Sequence, residues 1–284
     1  MKIGILYNGT AGKDESRQLA EELAQKFVGE EVNLHDVLQK NWVASLGPVE
    51  RVIIIGGDGT INHCVDALKD RLDQLTIGII PGGTVNNLAR AMELPLDTEK
   101  AMEVVTGDRT KGVDYGVVNG QVMVSSMTIG ILADTAARIS QRDKQKYGKS
   151  IFVRRFIELL ARKRKYHLKL KMDEQVWEGT TQLVSVTMTN SVGGFTNFDL
   201  EATIDDGLFH VIVLPKLQFF RLMRFLPLII AGRIAEIPEI EYCTCQHLTV
   251  TGPKGVSRID GDPGPKLPLE MKVIKKGMTI LVPK

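Results

Sequence analysis

The chain has 284 residues and a mass of 31.4 kDa, which predicts two domains, because single hydrophobic cores stop growing near ~250–300 residues. Apolar residues make up 43%, charged residues 25% and aromatics 6%, a composition that excludes collagen-like, disordered and low-complexity chains. The net charge of +2 hides an asymmetry: Arg138 to Met172 holds thirteen Lys/Arg against the two acids Asp143 and Glu158, a local +11 that leaves −9 elsewhere, so one region faces anions.

Three cysteines, Cys64, Cys243 and Cys245, give no disulfide framework and no paired metal knuckle, which points to a reducing, cytosolic compartment. The amino terminus, Met-Lys-Ile-Gly-Ile-Leu-Tyr, lacks the zones of a signal peptide and reads as a buried first strand. The apolar stretch Phe225–Ala231, flanked by Arg224 and Arg233, is far shorter than the ~20 residues that span a bilayer, so no transmembrane helix is expected.

In chain order, Lys2–Tyr7 predicts a strand, Asp14–Phe27 a helix, Arg51–Ile55 a strand, Ile61–Leu68 a helix, Thr76–Ile80 a strand and Asn86–Met92 a helix. Such alternation implies βαβ units over a parallel sheet, with ligands at the carboxyl ends of the strands. From Gly112 onward the pattern changes to short strands such as Val122–Thr128, Tyr166–Met172, Leu183–Thr189, Leu208–Leu214, His247–Thr251 and Met271–Ile274. Helical intervals at Lys149–Arg162 and Leu217–Ala235 interrupt it. The expected division is 1–125 and 126–275, with a last strand, Met278–Val282, after a turn at Lys276-Gly277 that is free to return to the first domain.

Two segments carry chemistry. Arg51-Val-Ile-Ile-Ile-Gly56-Gly57-Asp58-Gly59-Thr60 is an apolar strand that ends in glycines, an acid and a hydroxyl directly before a helix. Glycines let a phosphate approach backbone N–H groups, and the helix start adds positive dipole charge. Asp58 would repel that phosphate unless it holds Mg²⁺ or takes a hydroxyl proton; the plain alternative is a helix cap. Ile79-Ile-Pro81-Gly82-Gly83-Thr84-Val-Asn86-Asn87-Leu-Ala-Arg90 repeats the design, so that two strand ends would form one phosphate cradle, or else simply an Asn/Thr-capped helix after a proline turn.

Together these loops resemble the diacylglycerol kinase catalytic-domain family, which includes diacylglycerol, sphingosine and ceramide kinases and small bacterial lipid kinases. The likeness extends to Asn8-Gly9-Thr10-Ala11-Gly12, to Asn190-Ser-Val-Gly193-Gly194 leading into Ile204-Asp205-Asp206-Gly207-Leu208, and to Ile259-Asp260-Gly261-Asp262-Pro263, where those kinases carry Asn-Pro-x-Ser-Gly, Asp-Asp-Gly and Asp-Gly-Glu motifs. The resemblance implies a three-layer α/β amino-terminal domain like that of NAD kinases, a β-rich sandwich domain after it, and a nucleotide between them. It also implies ATP on Gly56, Gly57, Asp58, Gly59, Thr60, Ile61, Asn62, Gly83 and Thr84, with Asp58 near metal-bound phosphates. Asp262 falls on the family's proton acceptor. Thr203, Asp206 and Leu208 match a second Mg²⁺ site, with Thr203 and Leu208 giving backbone carbonyls.

Three positions depart from that pattern: His63 and Asn87 replace a Glu and an Asp, and Asp262 replaces a Glu. The expected activity is ATP- and Mg²⁺-dependent phosphorylation of a hydroxyl on a diacylglycerol-like or other long-chain lipid. An NAD kinase-like enzyme and a catalytically silent nucleotide- or lipid-binding homologue are the alternatives. A lone His63 on a helix reads as a surface or packing residue, and Gly12-Lys13 lacks the rest of a P-loop. The basic run from Lys144 to Lys165 reads as a solvated face or as an anionic-membrane surface, with nucleic acid disfavoured by the lack of aromatic platforms. The partners expected are thus a lipid substrate and the anionic inner face of the membrane, peripherally and without nucleic acid, with a homodimer left open.

Overall fold

The computed structural model describes residues 1–9, 15–130, 165–190, 201–215, 225, 227–228, 233, 236–238 and 240–284. The expected helix at Lys149–Arg162, most of Leu217–Ala235, the basic run up to residue 164, and residues 10–14 and 191–200 lie outside the described residues. The chain divides into two compact units, Met1–Tyr115 with Lys275–Lys284, and Gly116–Ile274.

The amino-terminal unit carries strands β1 (Lys2–Tyr7), β2 (Glu31–Asp36), β3 (Arg51–Gly56) and β4 (Thr76–Pro81), with helices α1 (Glu15–Gln25), α2 (Trp42–Leu46), α3 (Asp58–Ala67), α4 (Asn87–Ala91) and α5 (Thr98–Thr106). The strands are parallel in the order β4-β3-β1-β2, as alternating strands and helices require. Because side chains alternate along a strand, Ile3, Ile5, Ile53, Ile55 and Ile80 share one face and meet Ala20 and Leu23 of α1 and Ala101, Met102 and Val105 of α5. Val52, Ile54, Ile77 and Ile79 are buried in alternation with them. Gly4 belongs to that second set, and a Cβ there would stand 2.3 Å from Leu46 Cδ1 of α2. Helices on both faces make this the three-layer α/β domain that the sequence implied. In α3, burial pushes the Cys64 thiol up to about 12, which makes it a packing residue rather than a nucleophile.

The second unit is mostly antiparallel. Its strands are β6 (Gln121–Met123), β7 (Ser126–Gly130), β8 (Tyr166–Met172), β9 (Gln175–Thr187), β10 (Phe209–Pro215), β11 (Glu241–Cys245), β12 (His247–Thr251), β13 (Val256–Ile259) and β14 (Asp262–Lys266). Two strands, β5 (Thr110–Val118) and β15 (Leu269–Leu281), are shared by the two units. The pivot of this unit is β9: residues 175–181 pair with β8, whereas residues 183–187 pair with β7 and β10. Val184, Val186 and Met188 thereby reach one core with Met127, Leu170, Phe209, Leu248 and Met271. Along β8, Leu168, Leu170 and Met172 point inward while His167, Lys169 and Lys171 are exposed, so the tail of the basic region lies on the solvent side of a strand.

Four of the expected strands differ from expectation. Val122–Thr128 is broken into β6 and β7, because the N–H groups of Val124, Ser125 and Ser126 donate to the Asp260 carboxylate. Leu183–Thr189 is the second half of a longer strand. Met271–Ile274 and Met278–Val282 are one strand, β15, whose Leu269–Lys272 pairs with β12 and whose Thr279 and Ile280 pair in parallel with β4. The expected turn at Lys276 is a kink instead, with Lys276 at φ 49° and its N–H donating to the buried Asp114 carboxylate at 2.6 Å. Among the described residues, no helix is long and apolar enough to cross a membrane.

Candidate active site

In the amino-terminal unit the two glycine loops meet. Strand β3 is buried throughout and ends at Gly56, in register with Pro81 of β4, so both loops leave the same edge of the sheet. Gly82 N–H donates to Gly56 C=O at 2.9 Å. Gly57 caps α3 in an extended conformation, and the helix starts at Asp58, which leaves the N–H groups of its first turn without intrahelical partners. A Cβ on Gly56 would lie 2.6 Å from the Thr60 side chain, so only glycine lets α3 begin this close to the strand.

The second loop is shaped by Asn86, which the sequence reading placed only within the motif. It is buried and left-handed at φ 52°, a conformation that Asn tolerates better than most residues. Its Oδ1 accepts from Gly83 N–H at 3.0 Å and its Nδ2 donates to Gly83 C=O at 2.8 Å. Arg90 Nε donates to Val85 C=O at 2.8 Å, which closes the turn from below. Gly82, Gly83 and Thr84 stay exposed.

Asp58 links the loops. Its Oδ1 accepts from Leu88 N–H at 3.5 Å, and the backbone N–H groups of Asn87 and Asn86 also favour its charged form. Burial is the larger influence and raises the carboxyl above its ordinary value in spite of these donors. The carboxylate therefore caps the start of α4 as well as taking the first N–H of its own helix, and its unfavourable burial is what a cation would relieve. Around it, Gly59 is exposed, Thr60 and Asn62 are half-buried, and Ile61 is buried in the core, so Ile61 offers the loop its backbone alone.

The remaining candidates lie in the second unit. Thr203, Asp206 and Leu208 form one turn: Asp206 Oδ2 accepts from Thr203 N–H at 2.9 Å and Thr203 Oγ1 at 3.3 Å, and Oδ1 accepts from Leu208 N–H at 2.8 Å. His210, buried on β10, places Nε2 3.0 Å from Asp206 Oδ2 and its other ring nitrogen against the Tyr242 hydroxyl. Burial alone would raise the Asp206 carboxyl, but the His210 bond with the Thr203 and Leu208 N–H bonds holds it below the usual range. Asp262 is exposed and opens β14 directly after a tight turn.

Of the departures, His63 is exposed on α3 with its ring 6.1 Å from that of the buried Trp42, a placement that fits a surface or packing residue. Sequence reasoning missed Asp36, whose Oδ1 accepts from Gly9 N–H at 3.1 Å and Leu38 N–H at 3.0 Å. It also passed over His210, which shows no motif signal because its partner Asp206 lies across a turn.

Residues 2–118 match the diacylglycerol kinase catalytic domain, and residues 125–282 match the YegS C-terminal NAD kinase beta sandwich-like domain. Residues 2–118 belong to the diacylglycerol kinase catalytic-domain family, and residues 125–282, more than half of the chain, to the family of that sandwich-like domain. It is 29% identical over 290 residues to a diacylglycerol kinase of Bacillus subtilis (strain 168), covering 99% of this chain and 96% of that protein. It is also 27% identical over 289 residues to one from Staphylococcus haemolyticus (strain JCSC1435), covering 99% and 88%. A crystal structure of a diacylglycerol kinase from Bacillus anthracis str. Sterne superposes with a TM-score of 0.81 at 21% identity, covering 99% of this chain and 97% of that one, a likeness of fold. The family's activity, ATP-dependent transfer of phosphate to a lipid hydroxyl, is the activity of this chain.

Proposed function

We propose that the protein phosphorylates the free hydroxyl of a diacylglycerol-like lipid at the cytosolic membrane face, with ATP held on Gly56–Asn62, Gly83 and Thr84. The observation that carries this reading is the mutual contact of Gly57 and Gly83 with Asp58 bridging to α4: two strand ends present exposed glycine backbone and a helix start in one place, the requirement for cradling a polyphosphate. Relatives named diacylglycerol kinase support the lipid class.

Asp58 suits Mg²⁺, since a carboxylate burdened by burial gains from a cation beside it. When bound, Mg²⁺ neutralises charge that develops on the phosphates. At the second proposed cation site the Asp206 carboxylate already accepts from Thr203, Leu208 and His210, so Asp206 shapes the turn and the Thr203 and Leu208 carbonyls are the donors proposed for Mg²⁺. In the transfer, Asp262 takes the proton of the lipid hydroxyl, the alkoxide oxygen bonds to the γ-phosphorus, the bond to the β,γ-bridging oxygen breaks, and ADP leaves.

Residues 1–125 with the carboxyl-terminal strand act in this reading as the nucleotide domain and 126–275 as the lipid domain. Peripheral attachment to acidic lipid through the basic run belongs to the same proposal, and the positive charge of that run is its support. Labelled ATP supplied with a total lipid extract and, in parallel, with NAD, followed by mass spectrometry of the labelled product, tests it. A phosphorylated diacylglycerol-like lipid is expected, and labelling of NAD alone would overturn it.

A further inference from the structure

We propose that Asp260 is the positioning residue of the phosphoryl-transfer base: its carboxylate pins the turn from which Asp262 projects and so fixes where that base stands. This rests on the reading of Asp262 as the base. Strands β13 and β14 pair with Ile259 opposite Asp262, which leaves Asp260 and Gly261 as a two-residue loop. Both have positive φ, 50° and 93°, the geometry of the primed hairpin turns that Asp-Gly favours.

A turn of this kind needs only residues that tolerate positive φ, and Asn or Gly at 260 would suffice. The acid does more. Asp260 Oδ2 accepts from Val124 N–H, and Oδ1 from Ser125 and Ser126 N–H, each at 2.8 Å. Its own N–H donates to Ser126 C=O at 2.8 Å. One residue thus grips three consecutive residues more than 130 positions away in the chain. Arg258 holds the other side of the turn, with Nε and Nη2 donating to Gly261 C=O at 3.0 and 2.7 Å.

What Asp260 grips is itself fixed. Ser125 is buried, and its C=O accepts from Met188 N–H at 2.9 Å, while β7 continues into pairing with β13. An exposed carboxylate, Asp262, is therefore carried two residues from an anchor set in the floor of the sheet. That precision matters more here than with the Glu of the resembled pattern, because the Asp side chain is one methylene shorter and cannot make up a displaced backbone by choosing another rotamer. Misplacing a reacting group by about 1 Å costs on the order of 10²-fold in rate.

The test uses the full chain with a diacylglycerol in detergent micelles and measures kcat, the ATP KM and Tm for Asp260→Asn, Asp262→Asn, the two combined, and Asp260→Asn with Asp262→Glu. Asp260→Asn should lower kcat by about 10–100-fold with an unchanged ATP KM. The combined Asn variant should be no slower than Asp262→Asn alone, because a base that is already absent cannot be misplaced. Asp262→Glu should recover part of the loss by restoring reach. Should Asp260→Asn fail to fold, Gly261→Ala shifts the same turn through strain at φ 93° with the carboxylate intact, and the same kcat-only loss is expected.

Parental kcat in the variant that folds, multiplying losses in the double variant, or no recovery with Glu would overturn the positioning role alone. Parental turnover in Asp262→Asn would sink the base reading and this proposal with it.

Discussion

Gly57 and Gly83 lie so close that a Cβ on Gly57 would stand 2.8 Å from the Cα of Gly83, and a Cβ on Gly83 2.6 Å from the Cα of Gly57. Backbone cannot yield to such a contact as the end of a side chain can, so any larger residue at either position must part the two loops. Their contact is what brings two separate strand ends together as one glycine-lined edge, with Gly82, Gly83 and Thr84 exposed along it.

Gly83→Ala is therefore expected to raise the ATP Kd by tenfold or more, since its Cβ would also press on Asn86 Oδ1 at 2.6 Å and disturb the bonds that shape the loop; two hydrogen bonds at roughly 0.5–1.5 kcal/mol each make that order. Calorimetric titration with ATP measures it, and a Kd equal to the parent's would dissolve the two-loop cradle.

Burial raises the Asp58 carboxyl above its ordinary value of 3.8, and the consequence for stability has a definite sign. The folded chain holds that proton more tightly than the unfolded chain, so stability falls as pH rises from about 3.8 through the folded value, and then levels. Asp58→Asn should accordingly gain Tm relative to the parent across that rise while losing phosphoryl transfer by ~10²-fold or more. Thermal melts from pH 4 to 7.5 beside a lipid kinase assay decide the matter. A variant that turns over like the parent would take Asp58 out of the mechanism, and a Tm deficit growing with pH would show that its charge stabilises the fold.

The Asp206 turn has the opposite sign. Its folded value is depressed, so its contribution is present above the ordinary carboxylate range and is lost as pH falls through the folded value. Asp206→Asn keeps the shape but sets an amide against the N–H groups of Thr203 and Leu208. A loss of about 1–3 kcal/mol at neutral pH is expected, shrinking as pH falls below about 3.8. Urea unfolding at both pH values reads this directly, and a deficit independent of pH would mean that packing, not charge, holds the turn.

Sequence made the phosphate edge legible because its requirements are local. An apolar run followed by glycines and a helix start fixes β3, Gly57 and α3 within a dozen residues, and β4 with Gly83 repeats the arrangement. The second unit was harder to read because its determinants are distant. Whether residues 122–128 make one strand or two depends on an acid at 260, and whether Lys276 turns or kinks depends on Asp114. Periodicity carries no trace of such long-range caps. Asp58 was readable as a charged residue at a phosphate loop, but not as the cap of a different helix, since that follows only once β3 and β4 are neighbours.

Asn87 stands where the resembled pattern has an acid, and its backbone N–H is among the donors that support the Asp58 carboxylate. An Asp at this position would set a second negative charge beside one whose ionisation burial already disfavours, and like charges in one site resist joint ionisation. Without a cation, Asn87→Asp should therefore be less stable than the parent, most clearly in EDTA at neutral pH. With Mg²⁺ and ATP the same charge becomes an attraction, so the Tm gain on adding both should exceed the parent's, and the Mg²⁺ concentration for half-maximal turnover should fall. Adding His63→Glu on the exposed side of α3 should extend the trend, because that position leaves the core untouched. The readout is a Mg²⁺ titration of Tm and of turnover for the parent, the single and the double variants. Identical Mg²⁺ responses in all three would place both positions outside the cation's reach, and leave Asp58 as the carboxylate that answers for metal binding at the loops.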